Sequence, residues 1–359
     1  MAHHPRIQAL GVAFPPHYQS QEETLAHAQR YLHGAAPQTT PATRARAQRL
    51  SQLFAGAKVG HRHFAVDPAL YYQEPRSTGA RMALYQELAP TLGSVALTNA
   101  LGTTLTPADL TDFTVVSCTG YAAPGLDVIL ARDLGMPRNV RRVCIGHMGC
   151  FGAMVGLRQT LAAVRSQPGA RAALLSLELT SLHFMPTDDD EVLTSFALFG
   201  DAAAALVLSD DPAATGPEVV DAYCAADFAA ADQMAWTITD QGFMMGLSPR
   251  VPVTLRRNIR DVVENLLTPH GLDIPAVTHW LVHPGGPSIL DAVARGLELT
   301  PDQMARSWAT LRDHGNCSSA TVLLILDDLI KSGTPKPGEW GVMMAFGPGL
   351  TLETALLRF

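Results

Sequence analysis

Apolar runs with strand-like composition alternate with helix-forming stretches through the middle of the chain. Residues 113–117, 140–145, 172–179 and 203–208 read as strands, and a long helix is expected after Cys150. That alternation predicts an α/β architecture. Upstream, Ser20-Gln21-Glu22-Glu23 has the form of a capping box opening a helix to about Leu32, with Gly34, Pro37 and Pro41 marking a loop after it. Arg44, Arg46, Arg49, Lys58 and Arg62 follow in a stretch expected to be helical. The apolar run 322–326 is too short to span a bilayer and reads as a buried helix.

The pattern repeats. At one fixed shift of 166 positions, Ser117 falls on His283, Cys150 on Asn316, and the expected strand at 174–179 on 340–345. Each pair matches in element type, which points to a duplicated strand–helix–strand unit. The polar stretch 209–217, with Pro212, Gly216 and Pro217, is the natural boundary, giving halves 1–212 and 213–359. Related halves would bring Cys150 and Asn316 together at paired helix N-termini, with His283 at a strand end close by.

Composition narrows the classes. The 359 residues are 47% apolar and 16% charged, enough for a large core. A net charge of -7 gives no general attraction to nucleic acid or to an anionic membrane. No apolar stretch of signal-peptide type follows Met1, and none is long enough to cross a bilayer, so a soluble cytoplasmic protein is expected. The five cysteines (Cys118, Cys144, Cys150, Cys224 and Cys317) are widely spaced and suggest reduced thiols rather than disulfides or a metal site.

Cys150 is the candidate nucleophile. At a helix start, unpaired N–H groups and the helix dipole favour a thiolate, and a nearby histidine adds to this. Gly149 permits a tight turn before it, and Gly152 and Ala153 leave room for an acyl group. Cys144, Cys224 and Cys317 read instead as buried core thiols. His283 sits where a strand runs into the rigid turn Pro284-Gly285-Gly286-Pro287, a setting that displays a side chain. Asn316 either caps the helix that follows or donates, with His283, to a developing oxyanion. His147 and His314 read as locally bonded, and Asp188-Asp189-Asp190-Glu191 as a solvated acidic loop rather than a cation site.

Taken in order, Gly149-Cys150-Phe151, Ala197-Leu198-Phe199-Gly200-Asp201, His283-Pro284-Gly285-Gly286-Pro287, Gly315-Asn316-Cys317-Ser318-Ser319-Ala320 and the segment from Phe346 to Thr354 resemble the type III polyketide synthases, the chalcone synthase-like branch of the thiolase superfamily. The resemblance implies a thiolase-like duplicated αβαβα layered fold. It also implies an iterative reaction in which Cys150 takes an acyl starter from coenzyme A. His283 and Asn316 would then support decarboxylation of malonyl-CoA and Claisen condensation. Acyl-CoA and malonyl-CoA would be the substrates, with no metal or redox cofactor, and cyclisation would give a pyrone, resorcinol or phloroglucinol-type product.

By the same resemblance Phe199 is a gate between the CoA tunnel and the cavity, the second gate position holds Met245, and Thr119, His183 and Ser318 fall at cavity-lining or near-catalytic positions. Trp236 stands where plant members have glycine. The flexible Met favours an aliphatic starter over an aromatic one. For CoA, Arg49 matches a basic family position and Lys58 and Arg62 lie nearby, with Gly285 and Gly286 in the loop, whereas Gln52 and Gly56 occupy two positions expected to be basic. A homodimer is expected, with Ala123 near the point where members reach into the partner's cavity. Two other functions compete. One is an initiating ketoacyl synthase that performs a single condensation on an acyl carrier protein, and the other is a non-catalytic scaffold subunit.

Overall fold

The computed structural model describes residues 4–33 and 40–359; the loop expected at Gly34 and Pro37 lies outside them. In chain order the strands are β1 (Arg6–Ala13), β2 (His17–Ser20), β3 (His61–Phe64), β4 (Asp112–Ser117), β5 (Arg141–Gly146), β6 (Arg171–Glu178), β7 (Ala202–Ser209), β8 (Glu218–Ala226), β9 (Met234–Thr239), β10 (Gly242–Leu247), β11 (Val277–Val282), β12 (Trp340–Gly347) and β13 (Thr351–Arg358). The helices are α1 (Gln21–His33), α2 (Pro41–Gly56), α3 (Pro68–Tyr71), α4 (Thr78–Leu101), α5 (Leu126–Asp133), α6 (Gly152–Ser166), α7 (Asp190–Leu198), α8 (Val251–Leu267), α9 (Pro287–Leu297), α10 (Pro301–His314) and α11 (Thr321–Lys331).

Nine strands lie in the order β11-β12-β13-β8-β1-β7-β6-β4-β5. The order reads outward from its middle as two matching arms. In one, β1 pairs antiparallel with β7, β7 antiparallel with β6, and β6 parallel with β4. In the other, β8, β13, β12 and β11 repeat those senses. The arms pair at Arg6 and Glu218, whose side chains also form an ion pair, and the Ile7 N–H donates to Pro217 O at 2.9 Å and the Val219 N–H to Pro5 O at 2.8 Å on either side. This is the duplication that the fixed shift in the sequence reports. The strand β5, added beyond β4, has no counterpart in the other arm.

Between the arms lie α6 and α11. Met154, Leu157 and Leu161 of the first and Val322, Leu323, Ile325 and Leu326 of the second pack against Leu174, Ala204 and Leu206 on one arm and Met343, Ala355 and Leu357 on the other. The alternate residues Leu175, Ala205, Val342 and Met344 face a second core shared with α4 and α8. A strand covered on both faces has no use for polar alternation, which is why these strands read as continuous apolar runs. Close packing is enforced at Gly156 of α6, where a Cβ would stand 2.5 Å from a methyl of Leu174 and 2.8 Å from one of Val116.

The capping box at Ser20 forms: its N–H donates to Glu23 Oε2 at 2.8 Å, and the Glu23 N–H donates to Ser20 Oγ at 3.1 Å. The basic stretch is not one helix. It ends at Gly56, and Arg62 lies on β3, whose pairing with β2 depends on residues more than forty positions upstream. Cys144 and Cys224 are exposed on strands and not core thiols, whereas Cys317 is buried as expected.

Candidate active site

The nucleophile turn is built by backbone. Gly149 has φ +77, and a Cβ there would meet Pro348 at 2.7 Å, so glycine is required before Cys150. Cys150 then stands two residues ahead of Gly152, where α6 begins, and is buried. Cys118, at the end of β4, braces this turn: its Sγ accepts from the Gly149 N–H at 3.1 Å.

Asn316 is set by the equivalent turn of the second half. Gly315 has φ +69 with Leu198 O 2.6 Å from its Cβ position, and the Asn316 N–H donates to Leu198 O at 2.8 Å. Its Oδ1 accepts from the Ser318 N–H at 2.8 Å in the turn ahead of α11, while the N-cap position of the helical residues 318–320 falls to Cys317 rather than to Asn316. That bond leaves Nδ2 facing Cys150 Sγ at 3.9 Å and Gly285 O at 3.4 Å.

His283 follows β11, its N–H bonded to Met344 O at 2.9 Å, and its carbonyl accepts from the Gly285 N–H at 3.0 Å to close the turn. The ring is 1% exposed, yet neither Nδ1 nor Nε2 has a hydrogen-bond partner. Buried polar atoms without partners are rare enough to need a reason, and a site that awaits an incoming acceptor or proton supplies one. Burial drives the imidazole pKa down to about 3, so the ring is neutral. Burial also pushes the Cys150 thiol up to about 12. This corrects the expectation of a thiolate favoured by the helix start: without ligand, desolvation outweighs the bonds from Ser318 and Asn316.

Cys150 opens on a cavity of about 20 Å³ lined by Cys118, Thr119, Phe199, Met234, Trp236, Met245 and Ser318, among others. A neighbouring cavity of about 30 Å³ shares Thr180, Phe199, Trp236 and Met245 and adds His183 and Phe243. Each is room for about one water. The shared residues form the partition. Trp236 is held there by its indole N–H, which donates to Cys118 O at 2.8 Å. His183 is fully committed: its ring bonds to Thr119 O at 2.6 Å through Nε2, accepts from the Phe243 N–H at 3.1 Å through Nδ1, and stacks on Phe243. It positions the β9–β10 hairpin.

A residue that the sequence reading missed lies beneath. Glu178, at the end of β6, is fully buried and accepts from Ser319 Oγ, from Thr119 Oγ1 at 2.8 Å and from the Cys118 N–H at 2.9 Å. Burial raises its carboxyl to about 7. Its signal in the sequence was a lone acid inside an apolar strand.

Gly285 and Gly286 line a cleft of about 700 Å³, together with Gln52, Gly56, Asp190 and Glu191. The basic residues are not brought to it as expected. Arg62 is wholly buried, and its guanidinium donates to Phe196 O at 2.6 Å, Ala197 O at 2.9 Å, Phe199 O at 2.8 Å and the Gln21 side chain. It terminates α7 by satisfying the last carbonyls of that helix, and no phosphate reaches it. Lys58 is exposed outside the cleft lining, and Arg49 is paired with Asp190. His147 is exposed and His314 stacks on Phe14, so neither faces the nucleophile's cavity. Among the described residues no group of His, Cys, Asp and Glu could hold a metal, and no helix is long and apolar enough to cross a membrane.

The chain as a whole has counterparts among known proteins. Residues 2–212 match the N-terminal domain of chalcone and stilbene synthases, and residues 225–359 match the C-terminal domain. The chain belongs to this family of type III polyketide synthases. It is 34% identical to a 1,3,6,8-tetrahydroxynaphthalene synthase of Streptomyces peucetius subsp. caesius, covering 98% of this chain and 93% of that protein. It is 34% identical to a 3,5-dihydroxyphenylacetyl-CoA synthase of Streptomyces toyocaensis, covering 79% and 75%. The crystal structure of PKS-I from the brown alga Ectocarpus siliculosus superposes with TM-score 0.91 at 29% identity, covering 99% of this chain and 98% of that one. The thiolase-like fold and the acyl-transferring class of this type III synthase follow.

Proposed function

We propose that Cys150 carries the growing chain while His283 and Asn316 serve both half-reactions. Neutral His283 takes the thiol proton as Cys150 attacks the acyl-CoA carbonyl, and returns it to the departing CoA thiolate. Malonyl-CoA then loses CO2. The enolate oxygen is held by the Asn316 amide and the His283 ring, and its carbon attacks the Cys150 thioester, releasing the Cys150 sulfur and leaving the extended chain on CoA for reloading. Donors fixed in a dry pocket stabilise such an oxyanion without reorganising. The observation that carries this reading is the buried imidazole with two unpartnered nitrogens, on the turn whose Gly285 carbonyl lies 3.4 Å from an asparagine Nδ2 that also faces a cysteine.

The narrow apolar cavity at Cys150 supports a short aliphatic starter, and cyclisation to a pyrone, resorcinol or phloroglucinol-type product. Tyr121, Val128, Val143 and Met148 are exposed around the outer edge of β5, which supports a homodimer paired on that edge. Sedimentation of a monomer at micromolar concentration would overturn the pairing. The functional test is mass spectrometry of products from malonyl-CoA with a panel of aliphatic and aromatic acyl-CoAs, beside Cys150→Ala. Cyclised polyketides absent from the variant are expected, with yields highest for short aliphatic starters. No product from any ester refutes the reading.

A further inference from the structure

The cleft at Gly285 and Gly286 has the wrong charge for a polyphosphate. None of the residues lining it is Lys or Arg, and its two ionised side chains are Asp190 and Glu191, at the start of α7. One acid of that wall is paired with a cation. Arg49 of α2 donates to Asp190 Oδ2 through Nε at 2.8 Å and again through a terminal nitrogen. The other Asp190 oxygen, Oδ1, is buried without a partner. One turn earlier Arg46 is tied the same way, to the Asp188 carboxylate and to Thr187 O at 3.2 Å. The adjoining Glu191 is occupied by the Leu247 N–H at 2.8 Å, and Asp189 caps α7. Asp188 and Asp190 thus hold only Arg46 and Arg49 with their carboxylates, and of the two Asp190 is the one that lines the cleft.

We infer that Asp190 is a specificity-determining residue for the handle of the thioester. It keeps Arg49 neutralised at the cleft wall that the phosphates of a CoA ester approach, so the entrance discriminates against polyanionic handles relative to an uncharged pantetheine-like one. Binding of a CoA ester requires Arg49 to exchange Asp190 for phosphate. The inference rests on the thioester reading proposed above.

The test follows acylation of Cys150 by intact-protein mass, using one acyl group presented as its CoA ester and as its N-acetylcysteamine thioester. Asp190→Asn keeps the size of the side chain and frees Arg49. The half-saturating concentration of the CoA ester should fall roughly two- to five-fold, the range an exposed ion pair is able to withhold. It should also become more sensitive to salt. The value for the uncharged thioester should not move, which makes it the control for a merely structural effect, and adding Arg49→Ala should abolish the gain. Equal shifts for both esters, or none for the CoA ester, overturn the inference and leave the synthase reading standing. Acylation of the wild type by neither ester removes both.

Discussion

Trp236→Ala tests the prediction that Trp236 limits how long a chain the cavity accepts. Its ring stands in both internal cavities, of about 20 and 30 Å³, and its indole N–H is bonded to the Cys118 carbonyl. Truncation to a methyl leaves a void of on the order of 100 Å³, since a half-buried aromatic lost at ~24 cal/mol per Å³ costs about 2–3 kcal/mol. At ~30 Å³ per water, and one to two water volumes per C2H2O unit, that space holds about two further ketide units. The melting temperature should fall by about 3–4 °C. Mass spectrometry of the products should show chains longer by one or two ketide units. Trp236→Phe separates space from hydrogen bonding, because it loses the bond to Cys118 but fills most of the volume, and its product length should stay as in the wild type. Unchanged chain lengths in Trp236→Ala, alongside the expected drop in stability, would refute the reasoning: the void exists but the growing chain does not reach it.

Asn316→Ala removes one donor to the enolate and should lower the condensation rate by about 10²–10³, while Cys150 still forms an acyl adduct with a starter ester at the wild-type rate; an equal loss in loading would show that the amide acts on the nucleophile instead. Glu178→Gln tests the buried acid. Burial raises its carboxyl from 4.5 to about 7, so the folded state holds a proton that the unfolded chain has lost, and the stability Glu178 contributes is present below pH 4.5 and lost as pH rises through 7. The variant should gain in melting temperature relative to the wild type at pH 8 compared with pH 5, and a constant offset across that range would show that the carboxyl does not titrate there.

The parts of the fold legible in the sequence are those written locally. The strand at 172–179, the helix after Cys150 and the correspondence of Cys150 with Asn316 depend on apolar runs and Gly-containing turns that each half repeats, and the two matching arms bear this out. What escaped depends on distant partners. Arg62 looks like one more cation of a basic run until Phe196 and Ala197, over 130 residues away, supply the carbonyls that bury it. Strand β3 exists because β2 pairs with it, and neither is apolar enough to declare itself. Arg49 does lie near a cleft that Gly285 and Gly286 line, but its charge is cancelled by Asp190, a pairing across 141 positions that no spacing rule reveals.

The same distance argument explains the thiol. A cysteine ahead of a helix suggests an activated nucleophile, and the helix is there, yet the pKa is set by what surrounds the turn. Pro348 and Met245 come from one half, and Cys118, Phe199 and the carboxyl of Glu178 from the other; together they exclude water from Cys150. Burial that lifts the thiol to about 12 likewise lowers His283 to about 3. Sulfur and imidazole are then both neutral at rest, and no ion pair has to be desolvated when an apolar acyl chain enters. Charge appears only during reaction, as the proton passes to His283 and an oxyanion forms, and in a medium of low dielectric the Asn316 amide and the new imidazolium act on it with most force. In the proposed mechanism a resting thiol is therefore no defect of the site: the dryness that keeps Cys150 protonated between turnovers is the source of its stabilisation within them.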